Sequence, residues 1–435
     1  MTVINRSQIF LIAWPIILSN LSTPLLGIVD TAVIGNLGDP ALIGAIALGG
    51  IIFSFLYWGF GFLRMGTTGM VAQAMGASDQ EEANTCLYRA AILGMGIGII
   101  LLLLQIPLGL LSFAVFDASQ EVENHAKQYF DIRIWTAPLS LCHLAIIGYL
   151  LGTQDTRSVL IIQLVLNGMN ILLDILFVVI LDWGVPGVAF ATVLSEFLAL
   201  GLGLIIVSKK IEISFPPVDL FNVEKLKKMI LVNRDIMIRT LCLIFAFAWF
   251  TNQGAKYGDI TLAANAILMN LVSLSAFFLD GFALAAETLV GAAVGEKNRA
   301  KLNRIIRLCT ELGVLTAISL SLAFWLTGTW IISLMSNVDL VIVEAEEYLI
   351  WAILAPIISV WCYLLDGIFI GATKTVEMRN AMIISLFGFI TTWYISEIVL
   401  WEAAKNHGLW FSLLTYFILR ALALNHYLPR LKRFN

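Results

Sequence analysis

The chain has 435 residues and a net charge of −4; 60% of its residues are hydrophobic, only 13% are charged, and its mean hydropathy is +0.91. A soluble domain carries about 25% charged residues. The composition therefore excludes an ordinary water-soluble globule and predicts a polytopic integral membrane protein. Five dispersed cysteines without CxxC spacing argue against a disulfide framework or a metal site.

Apolar windows long enough to cross a bilayer, which takes about 20 residues each, recur along the whole chain. The first window is too long for the apolar region of a signal peptide, so it is interpreted as a membrane helix. The pattern predicts an all-α protein with twelve spans. Their approximate bounds are 9–34, 41–72, 87–113, 128–151, 158–181, 185–207, 229–251, 261–293, 308–330, 346–370, 380–400 and 408–428.

The basic residues between these spans are distributed unevenly. With a cytoplasmic N-terminus, 18 Lys and Arg residues fall on the cytoplasmic side and three on the other side. Because cytoplasmic loops of membrane proteins are enriched in Lys and Arg, this asymmetry predicts that both termini are cytoplasmic. It also supports twelve spans, since one missed span would disturb the alternation.

The two halves of the chain resemble each other at an offset near 219 residues. For example, VAQAMGASDQEEAN at 71–84 aligns with VGAAVGEKNRAKLN at 290–303. We therefore predict a six-helix lobe over 1–207, a cytoplasmic linker over 208–228 and a second six-helix lobe over 229–435. Six spans per lobe make the repeats parallel, which is a known plan of secondary transporters.

The first span carries Asp30 in an otherwise apolar run, with Pro15 fifteen residues before it. An ionisable residue at this depth costs about 2.5–3.5 kcal/mol and is by default a functional hypothesis. The alternative interpretation is a buried hydrogen-bonded pair that holds helices together. Pro15 removes a backbone hydrogen bond, so it is a candidate hinge.

The fifth span carries Asp174 with Asn170 and Asn167 at successive helical turns, and Thr192 lies at a similar depth in the sixth span. With no GxxxxGK[ST] motif in the sequence, energy is expected to come from an ion gradient, from substrate flow or from a partner. Asp30, Asp174, Asn170 and Thr192 are therefore the predicted ion-coupling residues, with no cofactor.

The second half lacks these carboxylates, because the repeat places Trp249 opposite Asp30 and Trp393 opposite Asp174. Ion chemistry is thus expected in the first half only. Asp280 lies deep in the eighth span and, like Asn167 of the fifth span, is a candidate for lining the substrate path. Glu287 and Asp366 lie near predicted cytoplasmic ends, so a solvated or capping role is expected for them. The roles of Glu397 and of Glu196, Arg64, Arg133, Arg239 and His143 stay open.

The stretch PIILSNLSTPLLGIVDTAVIGNLGDPALIGA resembles the opening of multidrug and toxic compound extrusion (MATE) transporters, in particular of their DinF-like branch. The resemblance implies a V-shaped pair of six-helix bundles that exports amphiphilic, often cationic compounds against H⁺ or Na⁺. It assigns the site to Asp30, Asn170, Asp174 and Thr192, the hinge to Pro15 and an aromatic hydroxyl of the same lobe to Tyr129. The sequence departs from the family at Thr23, a position where some relatives carry a longer amide side chain.

Three alternatives to a proton-coupled exporter stay open at this stage. The first is Na⁺ coupling, because the carboxylate oxygens of Asp30 and Asp174 are suitable ligands for Na⁺. The second is a flippase for lipid-linked precursors, a class of transporter within the wider superfamily. A membrane-embedded enzyme needs clustered acids such as DDxxD, which the sequence lacks, so no enzyme is expected. The expected partners are small amphiphilic substrates and membrane lipid, and no nucleic acid is expected. The protein is expected to be a monomer in the inner or plasma membrane.

Overall fold

The fold is given by a computed structural model that describes residues 4–35, 40–114, 119–211, 219–401 and 404–431. Within helices, the side chains of 25–28, 30–32, 34–35 and 40 lie outside the described part. The described residues form helices and connecting turns, without a β-strand.

Fifteen α-helices follow one another along the described chain. They are α1 Arg6–Gly35, α2 Pro40–Trp58, α3 Phe62–Gly76, α4 Gln80–Leu103, α5 Gln105–Ala114, α6 Gln120–Arg133, α7 Ala137–Gly152, α8 Thr156–Asp174, α9 Gly184–Ser208, α10 Val223–Lys256, α11 Asp259–Gly295, α12 Arg299–Met335, α13 Asp339–Gly371, α14 Thr375–Val399 and α15 Lys405–Leu431. A 3₁₀ turn, Ile134–Thr136, joins α6 to α7, and a π-helical segment, Ile175–Ile180, follows α8.

Each of the twelve predicted spans coincides with one helix or with two consecutive helices. Ten helical segments of the described part are long and apolar enough to cross a membrane, the first being Ala41–Gly76. The remaining two predicted spans coincide with α1, of 30 residues, and α10, of 34 residues. The predicted all-α integral membrane fold is confirmed.

The helix ends repeat at the offset seen in the sequence. α3 and α11 both end at a glycine, and each is followed by a residue with positive φ, Ser78 at 60° and Lys297 at 52°. The next helix then begins with a side-chain cap, Asp79 accepting from the Glu82 N–H and Asn298 from the Lys301 N–H. Because these pairs are 219 residues apart, the duplication is a property of the backbone as well as of the sequence.

Close helix packing also repeats. A Cβ atom at Gly148 of α7 would lie 2.6 Å from the Arg64 carbonyl oxygen of α3, and one at Gly367 of α13 would lie 2.0 Å from the Ala283 carbonyl oxygen of α11. Both pairs are related by the same offset. Small residues let membrane helices approach backbone to backbone, so these glycines fix the contact at the core of each half.

Contacts divide the chain into two units. The N-terminal unit is Leu18–Met229, and the C-terminal unit is Met1–Ile17 together with Ile230–Asn435. The division falls inside α1, between Ile17 and Leu18. The lobes 1–207 and 229–435 were defined by span count instead, and they stay a prediction.

Candidate functional site

A stripe of polar side chains runs along one face of α8. Gln163, Asn167, Asn170 and Asp174 follow at intervals of four, three and four residues, which keeps them on one side of a helix. Asn167, Asn170 and Asp174 are at most 5% exposed. The structure thus brings together the three polar residues of the predicted fifth span, and it adds Gln163 to them.

Asn170 connects Asp174 to Thr192 of α9. In one orientation of the amide, Nδ2 donates to Asp174 Oδ2 at 3.1 Å and Oδ1 accepts from the Thr192 backbone N–H at 3.2 Å. In the reversed orientation, Nδ2 donates to Thr192 Oγ1 at 3.3 Å. The Thr192 hydroxyl itself donates to the Val188 carbonyl at 3.1 Å. These three residues, named the α8–α9 group below, place one carboxylate beside amide and hydroxyl oxygens.

The other end of the stripe contacts α1. Asn167 donates through Nδ2 to Ser22 Oγ at 2.7 Å, and Gln163 donates to Asn167 Oδ1 at 3.2 Å. Sequence reasoning missed Ser22 and Gln163. The period of the stripe pointed to Gln163, but no signal in the sequence indicated which hydroxyl of α1 would meet Asn167.

Asp30 lies in α1, two turns after Ser22, and its side chain is outside the described residues. Its neighbours Val29 and Val33 belong to a buried apolar cluster that also holds Val178 and Val188. Val178 follows Asp174 by four residues, and Val188 precedes Thr192 by four. This part of α1 therefore packs in the same cluster as the helices that carry the α8–α9 group.

The helical pattern changes directly after Asp174. Ile175–Ile180 is π-helical, with the Leu181 N–H donating to the Leu176 carbonyl at 3.0 Å. Single π turns inside α-helices are rare overall, but those that occur are often found at functional sites. The irregular turn places the change of backbone pitch next to the buried carboxylate.

Tyr129 belongs to a second polar group of the N-terminal unit. Arg133 donates to its hydroxyl at 2.7 Å, and the guanidinium carbon of Arg133 lies 4.7 Å from the centre of the Phe53 ring. Glu196, one turn after Thr192 on α9, accepts a hydrogen bond from Ser140 and interacts electrostatically with Arg133. The charges of Arg133 and Glu196 therefore compensate each other. The sequence alone left the roles of both residues open.

The C-terminal unit holds a buried charge cluster. Asp366 of α13 is 5% exposed and forms ion pairs with Arg239 of α10, at 2.9 Å, and with Arg420 of α15. Asp280, which is half-buried, interacts electrostatically with Arg239, as does Glu287.

The expectation that Asp366 and Glu287 are solvated or capping residues is wrong. Glu287 is only 1% exposed. At this level α11 and α13 touch backbone to backbone, since a Cβ atom at Gly371 would lie 2.1 Å from the Glu287 carbonyl oxygen. Closeness to the end of a span does not give access to solvent where two helices pack this tightly.

Glu397 lies in a different polar group. It accepts a hydrogen bond from the Tyr257 hydroxyl at 2.8 Å and forms an ion pair with Lys405 at 3.1 Å. The Trp393 indole N–H donates to the same Tyr257 hydroxyl at 3.4 Å.

Aromatic residues of the second half occupy the positions that correspond to the predicted ion-coupling residues. At the offset of 219, Asp30, Asn170, Asp174 and Thr192 correspond to Trp249, Phe389, Trp393 and Phe411. The rings of Trp249 and Trp393 are in edge-to-face contact, with their centres 5.3 Å apart.

Comparison with known proteins agrees with this architecture. The MatE family model matches residues 15–176 and again residues 236–395. The chain is 38% identical over 416 residues to DNA damage-inducible protein F of Escherichia coli, covering 95% of this chain and 90% of that protein. It is 26% identical over 332 residues to the probable multidrug resistance protein NorM of Thermotoga maritima, covering 74% and 70% respectively.

Solved structures share the fold. An outward-facing multidrug resistance MATE family transporter of the MOP superfamily superposes with a TM-score of 0.89 at 20% identity, covering 98% of this chain and 97% of that one. A MOP superfamily transporter from Pyrococcus furiosus gives a TM-score of 0.87 at 19% identity, covering 98% and 96% respectively.

The duplicated helical fold and the paired family matches define a multi-pass membrane transporter rather than an enzyme. The chain belongs to the MATE family, in its DinF-like branch.

Proposed function

We propose that this protein is a secondary active exporter that moves amphiphilic, often cationic compounds out of the cell in exchange for H⁺. The observation that carries the proposal is the buried α8–α9 group, because a carboxylate at membrane depth is costly and is typical of ion pathways. The similarity to a probable multidrug resistance protein of Thermotoga maritima supports the substrate class.

The Asn170 amide lies where it can respond to the protonation state of Asp174. A charged Asp174 can only accept, which suits the orientation in which Asn170 Nδ2 donates to Oδ2. A protonated Asp174 donates, so Asn170 turns its oxygen toward Asp174 and donates to Thr192 Oγ1 instead. Proton uptake would thereby move the Asn170 hydrogen bond from Asp174 to Thr192 Oγ1 and take the amide acceptor away from the Thr192 backbone N–H, which changes the bonds between α8 and α9.

The repeat supports placing Asp30 beside Asp174. Trp249 and Trp393, which occupy the corresponding positions of the second half, touch each other. A matching backbone in the first half would bring Asp30 next to Asp174, where a negatively charged pair attracts either a proton or a cationic compound.

The proposed moving part is α1. Its interior Pro15 is buried and lacks a backbone N–H donor, and the division between the two contact units falls two residues later. Bending near Pro15 upon protonation would alter the position of Ser22 against Asn167 and so change the space for substrate in the N-terminal unit.

We further propose that the protein is a monomer of the cell's inner or plasma membrane with both termini cytoplasmic. The excess of 18 basic residues over three on the opposite side supports this orientation.

The test is substrate-induced proton release from proteoliposomes. We expect wild type to release protons when a cationic dye is added and Asp174→Asn to lose this release. Asp259→Asn is the matched control, because it makes the same change at an exposed carboxylate. Dye efflux driven by a pH gradient that persists in both Asp30→Asn and Asp174→Asn would contradict the proposal.

Sodium coupling is the second candidate. The oxygens of Asp174, Asn170 and Thr192 are hard ligands of the kind that alkali cations use. Efflux driven by a Na⁺ gradient at equal pH on both sides, and abolished by Asp174→Asn, would favour it over protons.

A further inference from the structure

An apolar groove of about 660 Å³ opens on the N-terminal unit, between α4, α7 and α9. Its base is formed by Cys142 and Ile146 of α7, which are buried. Its walls are Ile92 and Ile99 of α4 and Leu204 of α9, all of them largely exposed. Since these walls lie on membrane-spanning helices, the groove faces lipid and not water.

One end of the groove reaches the segment that follows α9. Ile211 and Leu220, which flank residues 212–218, line it there. Arg89 of α4 holds this end in place, because it donates to the backbone carbonyls of Asp219 and Leu220 at 2.6 and 3.2 Å.

Basic residues lie close in sequence to the residues that line this end. Lys209, next to the lining residue Ser208, is exposed, and so are Lys227 and Lys228 in the first turns of α10. Among the described carboxylates of the same region, Asp155 is engaged by Lys210, and Glu82 and Asp219 by Lys225. Glu81 and Glu224 are exposed. The three exposed lysines outnumber these two carboxylates and leave a positive rim beside the apolar groove.

We propose that the groove binds an anionic phospholipid of the cytoplasmic leaflet, with one acyl chain along α4 and the headgroup at Lys209 and Lys228. The groove supplies apolar walls for a chain, and the rim supplies charge complementary to a phosphate. Lys and Arg clusters directly cytoplasmic of a membrane helix attract anionic lipids, by about fivefold in binding per residue. This site is separate from the α8–α9 group and does not depend on the proposed transport activity.

Gly96 offers a direct way to fill the groove. It lines the groove on α4, and a Cβ atom there would meet no atom within 4 Å. Gly96→Phe therefore adds a ring to the groove without a backbone clash. Gly50→Phe is the matched control, because Gly50 of α2 is equally free of neighbours and does not line the groove.

The experiment is native mass spectrometry of the full chain, after reconstitution in equal amounts of phosphatidylglycerol and phosphatidylcholine with identical acyl chains. We expect wild type and Gly50→Phe to retain phosphatidylglycerol preferentially, and Gly96→Phe to retain neither lipid at this site. Lys209→Gln with Lys228→Gln should reduce the preference by about tenfold or more, whereas Lys256→Gln, at an exposed lysine outside the groove, should not.

Photocrosslinking keeps the test decisive if Gly96→Phe fails to fold. Phosphatidylglycerol with a diazirine in one acyl chain should crosslink to the wild-type peptides that hold Ile92 and Cys142 more than the matching phosphatidylcholine does, while crosslinking to the peptide that holds Cys242, which does not line the groove, should not differ between the lipids. Equal lipid retention by Gly96→Phe and wild type, equal retention of both lipids by wild type, or displacement of the lipid by a transported dye would overturn the proposal.

Discussion

Asp366 is held between two arginines from different helices, and this arrangement makes it a structural residue of the C-terminal unit. Arg239 and Arg420 are each at most 6% exposed. Both cations are buried, and Asp366 is the carboxylate with which both form ion pairs. Removing one partner of a buried ion pair leaves an uncompensated charge, which costs about 3–5 kcal/mol.

Asp366→Ala is therefore expected to lower the free energy of unfolding by about 3–5 kcal/mol. The measurement is the thermal unfolding midpoint in detergent, followed by tryptophan fluorescence. Glu346→Gln, at an exposed carboxylate of the same helix, should change the midpoint little. An Asp366→Ala midpoint equal to that of wild type would mean that the arginines find other partners.

Asp155 illustrates a charge whose effect depends on pH. It caps α8 by accepting from the Ser158 N–H at 3.2 Å, and Lys210 at the end of α9 donates to it. Partial burial raises the pKa of Asp155, but hydrogen bonds from Lys210 and Ser158 outweigh it and hold the pKa below its usual 3.8. A lowered pKa stabilises the folded state above the unfolded-state pKa, and this contribution is lost as the pH falls through the folded-state pKa.

We expect Lys210→Gln to lower the unfolding midpoint at neutral pH and to match wild type under strongly acidic conditions. The difference between the two proteins should stay constant down to about pH 5 and shrink below about pH 4, where Asp155 becomes protonated. Lys256→Gln serves as the control at an exposed lysine. A difference that persists at the lowest pH would show that Lys210 acts through packing and not through Asp155.

At the scale of the elements, paired helices set the architecture of each half. The contact of α3 with α7 and that of α11 with α13 both depend on a glycine facing a backbone carbonyl, Gly148 and Gly367 respectively. The obstructing atoms belong to the backbone, so no side-chain rotation can relieve a clash there. The same substitution should therefore have opposite effects at packed and at open glycines.

Gly367→Ala is expected to destabilise the protein by about 1–3 kcal/mol, since α13 must shift away from α11. Gly50→Ala, in open space, should be neutral or stabilising by up to about 1 kcal/mol, because alanine favours helix more than glycine does. Unfolding midpoints of the two variants measure the contrast. If both variants unfold at the wild-type temperature, α11 and α13 are not in backbone contact.

At the scale of the whole molecule, the sequence predicted the helices well because hydropathy and the repeat are both visible in the sequence itself. The offset of 219 residues anticipated the matching ends of α3 and α11 and of α7 and α13. The α8 stripe was also accessible, since Asn167, Asn170 and Asp174 follow the helical period.

Contacts between distant helices were not accessible from the sequence. Asp366 and Arg420 are 54 residues apart, and no periodicity links a residue of α13 to one of α15. The sequence predicted access to solvent for Asp366 and Glu287, but neighbouring helices bury both residues whatever their distance from the end of a span. The same limit applied to Ser22, whose role depends on Asn167 of another helix.

Duplication followed by divergence explains why the halves carry different chemistry on one backbone plan. Where the first half has Asp174 and Asn170, the second has Trp393 and Phe389, and the latter belong to the apolar packing of the C-terminal unit. Among the carboxylates that the second half buries, Asp366 is neutralised by two arginines, and Glu287 interacts electrostatically with Arg239. Under the proposed mechanism, only the first half can exchange a proton during the cycle.

The number of protons released per transported molecule should therefore depend on first-half carboxylates alone. We expect Asp174→Asn to abolish coupled proton release, whereas Asp280→Asn weakens apparent substrate affinity by up to tenfold and leaves the ratio of protons to substrate unchanged. Asp280 is suited to this comparison because it is half-buried and lies in the C-terminal unit. Parallel measurement of dye efflux and proton flux in the same proteoliposomes gives the ratio. If Asp280→Asn lowers the ratio of protons to substrate, part of the ion coupling lies in the second half. That result would contradict the proposal, which assigns ion coupling to the first half because the second half has aromatic residues at the corresponding positions.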